Sequence, residues 1–112
     1  MVTLRIQHPV PDFARWKRAF DADPADRRKS GVIRYSIRRS VANPKFVMID
    51  LDLATVREAE VLLTKMRRIW EGSGSTVMSS AEAWIVETVE TVELAAPAKE
   101  RLHAEPAPSA TS

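Results

Sequence analysis

V-I-R-Y-S-I-R-R-S-V-A-N-P-K-F-V-M-I-D-L-D-L, residues 32–53, is the stretch whose reading decides the fold. Ile33, Tyr35, Ile37, Val47, Ile49 and Leu51 occupy one set of alternate positions; Arg34, Ser36, Arg38, Phe46, Met48, Asp50 and Asp52 occupy the other. Alternation with a period of two marks strands whose sheet has two unlike faces. Asn43-Pro44 punctuates the stretch into a hairpin, because proline offers no N–H to a ladder and pushes the residue before it into an extended conformation. Directly paired residues share a face, so their numbers must sum to an even value. Two registers satisfy this, with Ile37 opposite Leu51 or opposite Ile49. A slip by one residue would bury both aspartates and is excluded. The first register sets Arg38 across from Asp50, the second sets Arg34 across from Asp52, so arginines and aspartates share a face in either. Such pairs contribute about 0.2–1 kcal/mol each when exposed. Losing one partner of a buried pair costs about 3–5 kcal/mol, because it strands a desolvated charge.

Upstream, Leu4 and Ile6 alternate with Thr3, Arg5 and Gln7, which predicts a first strand over Val2 to His8, stopped by the prolines at 9 and 11. Pro11-Asp12 opens a helix, with Asp12 favourable near the positive end of its dipole. Phe13, Trp16 and Phe20 make one apolar stripe at spacings of three and four. This helix is expected to reach about Asp21, with a short helical turn over Ala25 to Lys29 beyond Pro24. Downstream, Thr55 and Glu58 have the spacing of a capping box. Val56, Ala59, Leu62, Leu63, Met66, Ile69 and Trp70 then keep helical spacing as far as Glu71, before Gly72-Ser73-Gly74-Ser75 and a loop containing Val77 and Met78. Glu82 to Val92 predicts a last strand, with a bulge around Glu87 to Val89 where the alternation falters. Residues 94–112 turn to alanine, proline and small polar side chains, too poor in large apolar groups to offset the entropy of ordering. They are expected to form a disordered tail on a domain of residues 1–93.

The element order is β-α-β-β-α-β, an α+β, ferredoxin-like arrangement with a four-stranded antiparallel sheet and both helices on one face. Phe46, Met48 and Trp84 stand with the charges on the other face, which is too apolar for a contiguous exposed patch. A homodimer formed through that sheet face is therefore expected. The 112 residues suit a single domain. With 17 lysines and arginines against 15 acids, the net charge is only +2 and the basic pI of about 9.3 is a poor guide to partners. The absence of cysteine excludes disulfides, thiolate metal sites and cysteine nucleophiles. The first residues lack the apolar run of a signal peptide, and no segment approaches the roughly 20 apolar residues of a membrane span, so a cytoplasmic protein with no membrane partner is expected. RNA-recognition domains share the element order, but the strand K-F-V-M-I-D-L-D-L has no glycines and two aspartates that would repel phosphate, so no nucleic-acid partner is expected.

V-P-D-F-A-R-W-K-R-A-F-D-A-D at 10–23, G-V-I-R-Y-S-I-R-R-S at 31–40 and A-N-P-K-F-V-M-I-D-L-D at 42–52 resemble the dimeric α+β barrel superfamily. More narrowly, the chain resembles its small members related to antibiotic-biosynthesis monooxygenases and cyclases. The resemblance covers residues 2 to 92. It implies two sheets closing into a barrel, with a cavity in each subunit between sheet and helices. It also implies an activity on an aromatic or polyketide-like small molecule, by cofactor-independent oxygenation or cyclisation. The family's oxygenases place an asparagine, a tryptophan and a histidine or arginine around the substrate; here the only asparagine is Asn43, in the hairpin turn. The second helix carries no histidine, so the haem ligand of the haem-degrading members has no counterpart. Neither a cofactor nor a metal is expected.

His8 and Tyr35 are the candidate catalytic residues. At the end of the first strand, His8 could face the helices near Trp16 and Tyr35 and, with a pKa near neutral, deprotonate an acidic phenol or enol; the alternative is a partly exposed strand-end histidine. Tyr35 could hydrogen-bond a substrate carbonyl or simply join the core. Trp16 and Trp70 are candidates for lining an aromatic pocket, against plain packing. Arg34 is a candidate for an anionic ligand, its planar guanidinium suiting a carboxylate, against a structural role with the aspartates. Arg27-Arg28-Lys29 and Arg67-Arg68 read as solvated runs, and two histidines far apart make no metal site. A non-catalytic dimer that binds a small ligand, or a stress-type module, is the alternative function.

Overall fold

The structure, a computed structural model, describes residues 1–72 and 81–95. Its elements run β1 (Val2–Pro9), α1 (Phe13–Asp21), β2 (Arg34–Arg39), β3 (Phe46–Leu53), α2 (Val56–Gly72) and β4 (Glu82–Glu87). The four strands form one antiparallel sheet in the order β2-β3-β1-β4. This is the ferredoxin-like α+β fold that the alternation implies. The loop at 76–80 and the tail from residue 96 onward, with His103, lie outside the described residues.

Of the two registers open to the hairpin, the structure adopts the one with Ile37 opposite Ile49 and Arg34 opposite Asp52. The turn explains the choice. The other register would leave a three-residue loop with Pro44 at the third position of a type I turn, where proline is disfavoured. In the register adopted, the Phe46 N–H donates to the Asn43 carbonyl at 2.9 Å, which places Pro44 at the second position of the turn, where its fixed φ fits. Asn43 Oδ1 accepts from the Lys45 N–H at 3.2 Å, so this asparagine is spent on its own turn.

Both helices start on side-chain caps. Asp12 accepts from the Ala14 N–H at 3.2 Å. Thr55 Oγ1 accepts from the Glu58 N–H at 3.1 Å and donates to that residue's carboxylate at 3.3 Å, a hydroxyl-centred variant of the capping box. The helical turn expected over Ala25 to Lys29 is instead a run of hydrogen-bonded turns, with Asp23 and Asp26 in the left-handed region. Lys65 of α2 holds this loop, donating to the Ala25 carbonyl (2.9 Å) and to Ser30 Oγ (2.8 Å). The expected last strand is also corrected. β4 ends at Glu87, and residues 88–95 form no strand, so no bulge occurs.

The core fills the space between sheet and helices with Val2, Leu4, Ile6, Val47, Ile49, Leu51 and Leu53 from the strands, and Phe20, Ala59, Leu62 and Leu63 from the helices. Ile33 and Tyr35, expected in this core, are exposed. They belong to the edge strand and its approach, whereas α2 packs over β1, β3 and β4.

Gly31 has φ +99, and a Cβ there would meet Glu58 Oε2 at 2.7 Å. Gly31→Ala should therefore destabilise the fold by about 1–3 kcal/mol in urea unfolding. Adding Glu58→Ala should relieve only the steric share; full recovery would show that the backbone conformation costs nothing.

Candidate functional site

His8 continues the inward row Val2, Leu4, Ile6 of β1 and is 1% exposed. The expectation of a partly exposed strand-end histidine is thus overturned by the same alternation that predicts the strand. Its Nδ1 lies 3.0 Å from the Pro9 carbonyl. A carbonyl can only accept, so Nδ1 carries the proton and Nε2 keeps the lone pair in the neutral ring. Burial pushes the imidazole below its ordinary value near 6.5, partly opposed by that hydrogen bond. The ring is held neutral and basic at one nitrogen.

Around it α1 supplies a column of rings. Trp16 meets His8 edge-on at 6.0 Å between centroids, and packs against Phe13 at 5.7 Å and Phe20 at 5.2 Å; Phe20 meets Tyr35 edge-on at 5.2 Å. These bulky groups hold α1 off the sheet, while α2 lies close against it. Two guanidinium groups flank the column. Arg27 sits 3.9 Å above Phe20 and 4.9 Å from the Tyr35 ring, donating to the Phe20 carbonyl at 2.8 Å and facing Asp23. Arg39 sits 4.6 Å above Phe13. The solvated role expected of Arg27 is therefore wrong, since the loop folds it back onto the rings. Arg39 was detectable: it is in phase with Tyr35 and Ile37, which puts it on the helix side.

Of the five candidate residues, His8 and Trp16 meet directly; Tyr35, 43% exposed, joins the column only through Phe20 and lies level with Leu51, four residues along β3 from the Val47 that faces His8. Trp70 lies on the last turn of α2, half-buried against the core. Arg34 stands on the opposite face of the sheet, bound to Asp52 at 2.8 Å. That face is a polar network. Asp50 takes two hydrogen bonds from Arg5 (2.8 and 2.9 Å) and one from Arg38 (3.2 Å), and Asp52 also accepts from Thr3 at 2.6 Å. Hydrogen bonds from Arg5 hold the Asp50 carboxyl below its ordinary range. Among the described residues, no group of three His, Cys, Asp or Glu side chains could hold a metal ion, and no helix is long and apolar enough to cross a membrane.

The sign of the His8 effect follows from its direction. A buried imidazole with a lowered pKa is neutral in the fold at pH values where the unfolded chain already takes up a proton. Its contribution is complete above about 6.5 and is lost as the pH falls below that value. The melting temperature should fall from pH 7.5 to 5, and His8→Gln should flatten that slope. Equal slopes in both proteins would contradict a buried neutral imidazole.

No family model matches the chain, and no curated protein matches it. Solved structures do. The chain is similar to SnoaB, a cofactor-independent oxygenase from Streptomyces nogalater, at 13% identity and a TM-score of 0.65 over 81% of this chain and 95% of that one. It is similar to a Deinococcus radiodurans protein taken for an antibiotic biosynthesis monooxygenase, at 13% identity and a TM-score of 0.62 over 86% and 100%. It is also similar to a dimeric ferredoxin-like protein from an uncultured marine organism, at 10% identity and a TM-score of 0.57 over 81% and 97%. The chain has the fold of the antibiotic-biosynthesis monooxygenases, a ferredoxin-like fold.

Proposed function

We propose that this protein is a homodimeric, cofactor-independent enzyme that removes a proton from an aromatic or polyketide-like small molecule, with His8 as the base. The observation that carries the reading is the tautomer. Pro9 commits Nδ1, so Nε2 keeps the lone pair on a buried ring that Trp16 meets edge-on; burial lowers the pKa, which keeps the imidazole neutral and able to take up a proton near pH 7. Trp16 offers a flat face to a planar substrate, and Tyr35, at the open end of the column, offers a hydroxyl to a substrate carbonyl. Trp70 is assigned to the lining on α2. Proton transfer to Nε2 leaves an electron-rich carbanion or phenolate that reacts with dioxygen as co-substrate. For a methylene carbon, CH2 and O2 become C=O and H2O, and His8 returns its proton to the departing hydroxide. The fold shared with a cofactor-independent oxygenase supports this reading.

A non-catalytic ligand-binding module is the second reading, favoured by one observation: His8 is 1% exposed, so the ring is covered in the free subunit. Oxygen uptake with a panel of quinols separates the two. Turnover by the wild type should drop at least 100-fold in His8→Ala and in His8→Gln, in line with the usual contribution of a general base. Ligand-induced stabilisation without turnover would favour the second reading.

The homodimer is proposed to form by stacking of the charged sheet faces. Phe46, Met48, Trp84 and Val86 share that face with the Arg5–Asp50, Arg38–Asp50 and Arg34–Asp52 pairs, and Trp84 is 44% exposed in the single subunit. Arg34 belongs to this seam; its free donors could also take a carboxylate ligand there. Sedimentation at micromolar concentration should show a dimer for the wild type and a monomer for Met48→Lys/Trp84→Lys. A stable wild-type monomer would remove the stacked arrangement.

A further inference from the structure

His8, Val47 and Arg39 stand in one row across the sheet: His8 of β1 pairs with Val47 of β3, and Val47 pairs in turn with Arg39 of β2. Directly paired residues share a face, so Arg39 lies on the helix side, level with the imidazole. The Cα atoms of His8 and Arg39 are two strand spacings apart, about 9.5 Å. Rings of α1 bridge that interval. Arg39 Cζ sits 4.6 Å from the Phe13 centroid, Phe13 packs on Trp16, and Trp16 meets His8. Exposure falls along this line, from Arg39 in solvent through half-buried Phe13 and Trp16 to the buried imidazole. Arg39 is also unspent. Of the four arginines on the strands, Arg5, Arg34 and Arg38 are paired with Asp50 or Asp52 on the other face; among the described residues Arg39 has no carboxylate partner. The contact with Phe13 uses the charge of its guanidinium and none of its N–H donors. Residues 31–45 contain no acid, and Asp12, the acid that precedes Phe13, is spent on capping α1. Arg27 differs, being engaged by the Phe20 carbonyl and Asp23.

We propose that Arg39 binds a fixed carboxylate at one end of an aromatic substrate whose other end reaches His8. The inference deepens the proposed reaction and rests on it for the side of the sheet that the substrate takes. An ionised carboxylate is costly to bury, so the acid end stays at the wet mouth of the column. There the guanidinium offers a planar fork that matches it, while the apolar end lies against Phe13 and Trp16. The span fixes the layout of the molecule. Its acid group and the C–H that loses a proton stand at opposite ends of a fused or extended ring system, not on adjacent carbons. For the same reason Arg39 holds a charge that the substrate carries throughout, rather than the one that develops on deprotonation. Such an anchor binds ground state and transition state alike, so its loss raises KM and leaves kcat in place. Arg39 is a specificity-determining residue.

Calorimetry on the full chain with naphthalene-2-carboxylate, biphenyl-4-carboxylate and their neutral carboxamides tests this without turnover. The wild type should bind each acid about 10-fold more tightly than its amide, the size of one charge-assisted contact. Arg39→Gln should bind acid and amide alike, and Arg39→Lys should keep part of the preference. Arg28→Gln, a change at a solvated arginine, should keep all of it, as should His8→Ala. Arg39 is exposed on an edge strand, so circular dichroism should be the same for its variants and the wild type. A preference that survives in Arg39→Gln would overturn the proposal, as would a wild type that binds neither acid or binds acid and amide equally. In oxygen uptake, a carboxylate added to a quinol that turns over should lower KM in the wild type and not in Arg39→Gln, with kcat the same in both. A fall in kcat at constant KM would overturn the anchoring role. Charge preference lost in Arg39→Gln, with no quinol turned over by any form, would uphold the anchor and remove His8 as the base. Turnover that depends on His8, with no preference for the acids, would do the reverse.

Discussion

Two carboxylates on β3 tie three strands together. Asp50 gathers Arg5 from β1 and Arg38 from β2; Asp52 gathers Thr3 from β1 and Arg34 from β2. Because β3 has a hydrogen-bonded neighbour on each side, these residues can be partnered from both, and they are. The exposed guanidinium groups add little stability individually. Their weight lies in what they forbid. A one-residue shift of β3 would carry both aspartates into the apolar side and Leu51 and Leu53 out of it, losing the ion pairs and the core together. The charged face thereby protects the register on which the opposite face depends.

That opposite face is uneven. α2 contributes Ala59, Leu62 and Leu63 and lies close to the sheet, whereas α1 presents three aromatic residues and is held away by their size. Into the wider gap β1 sends a histidine where the row of apolar residues would continue. A buried imidazole that donates from Nδ1 to a carbonyl is satisfied on one side and retains a basic nitrogen on the other. Packing alone would be served as well by a leucine at that position, without the desolvation that lowers its pKa. The rings next to it, and the guanidinium groups over those rings, make this end of the molecule chemically distinct from the aliphatic packing under α2.

The hairpin, both helices and their caps were legible because each rests on local chemistry: alternation, a 3–4 spacing, a threonine three residues before a glutamate. Register was legible only to a choice of two, although Pro44 carried the deciding signal through its position in the turn. The contact of His8 with Trp16 was partly readable, since the phase of β1 points His8 inward; the expected nearness of Tyr35 is not met, because Tyr35 pairs with Leu51 and His8 with Val47, four residues apart along β3. Arg27 was not. Its place over Phe20 depends on a loop with Asp23 and Asp26 in left-handed conformations, secured by Lys65 from 40 residues away, and no local pattern encodes that. The end of β4 failed for the same kind of reason. V-E-T-V-E-T has strand-forming residues throughout, but β4 is an edge strand, and its partner β1 begins at Val2, opposite Glu87. A strand cannot outlast the neighbour it pairs with.

That mismatch in length links the two halves of the molecule. β1 turns its even-numbered residues to the helices and its odd-numbered residues to the charges, so Ile6 and His8 serve one side while Arg5 and Gln7 serve the other. Neighbouring residues of β1 therefore do not share an environment. The backbone of β1 that joins the two faces is hydrogen-bonded along both sides, to β3 and to β4. The segment beyond Glu87 is free of that coupling. It lacks a strand to pair with, and it carries valines that its own subunit leaves in water.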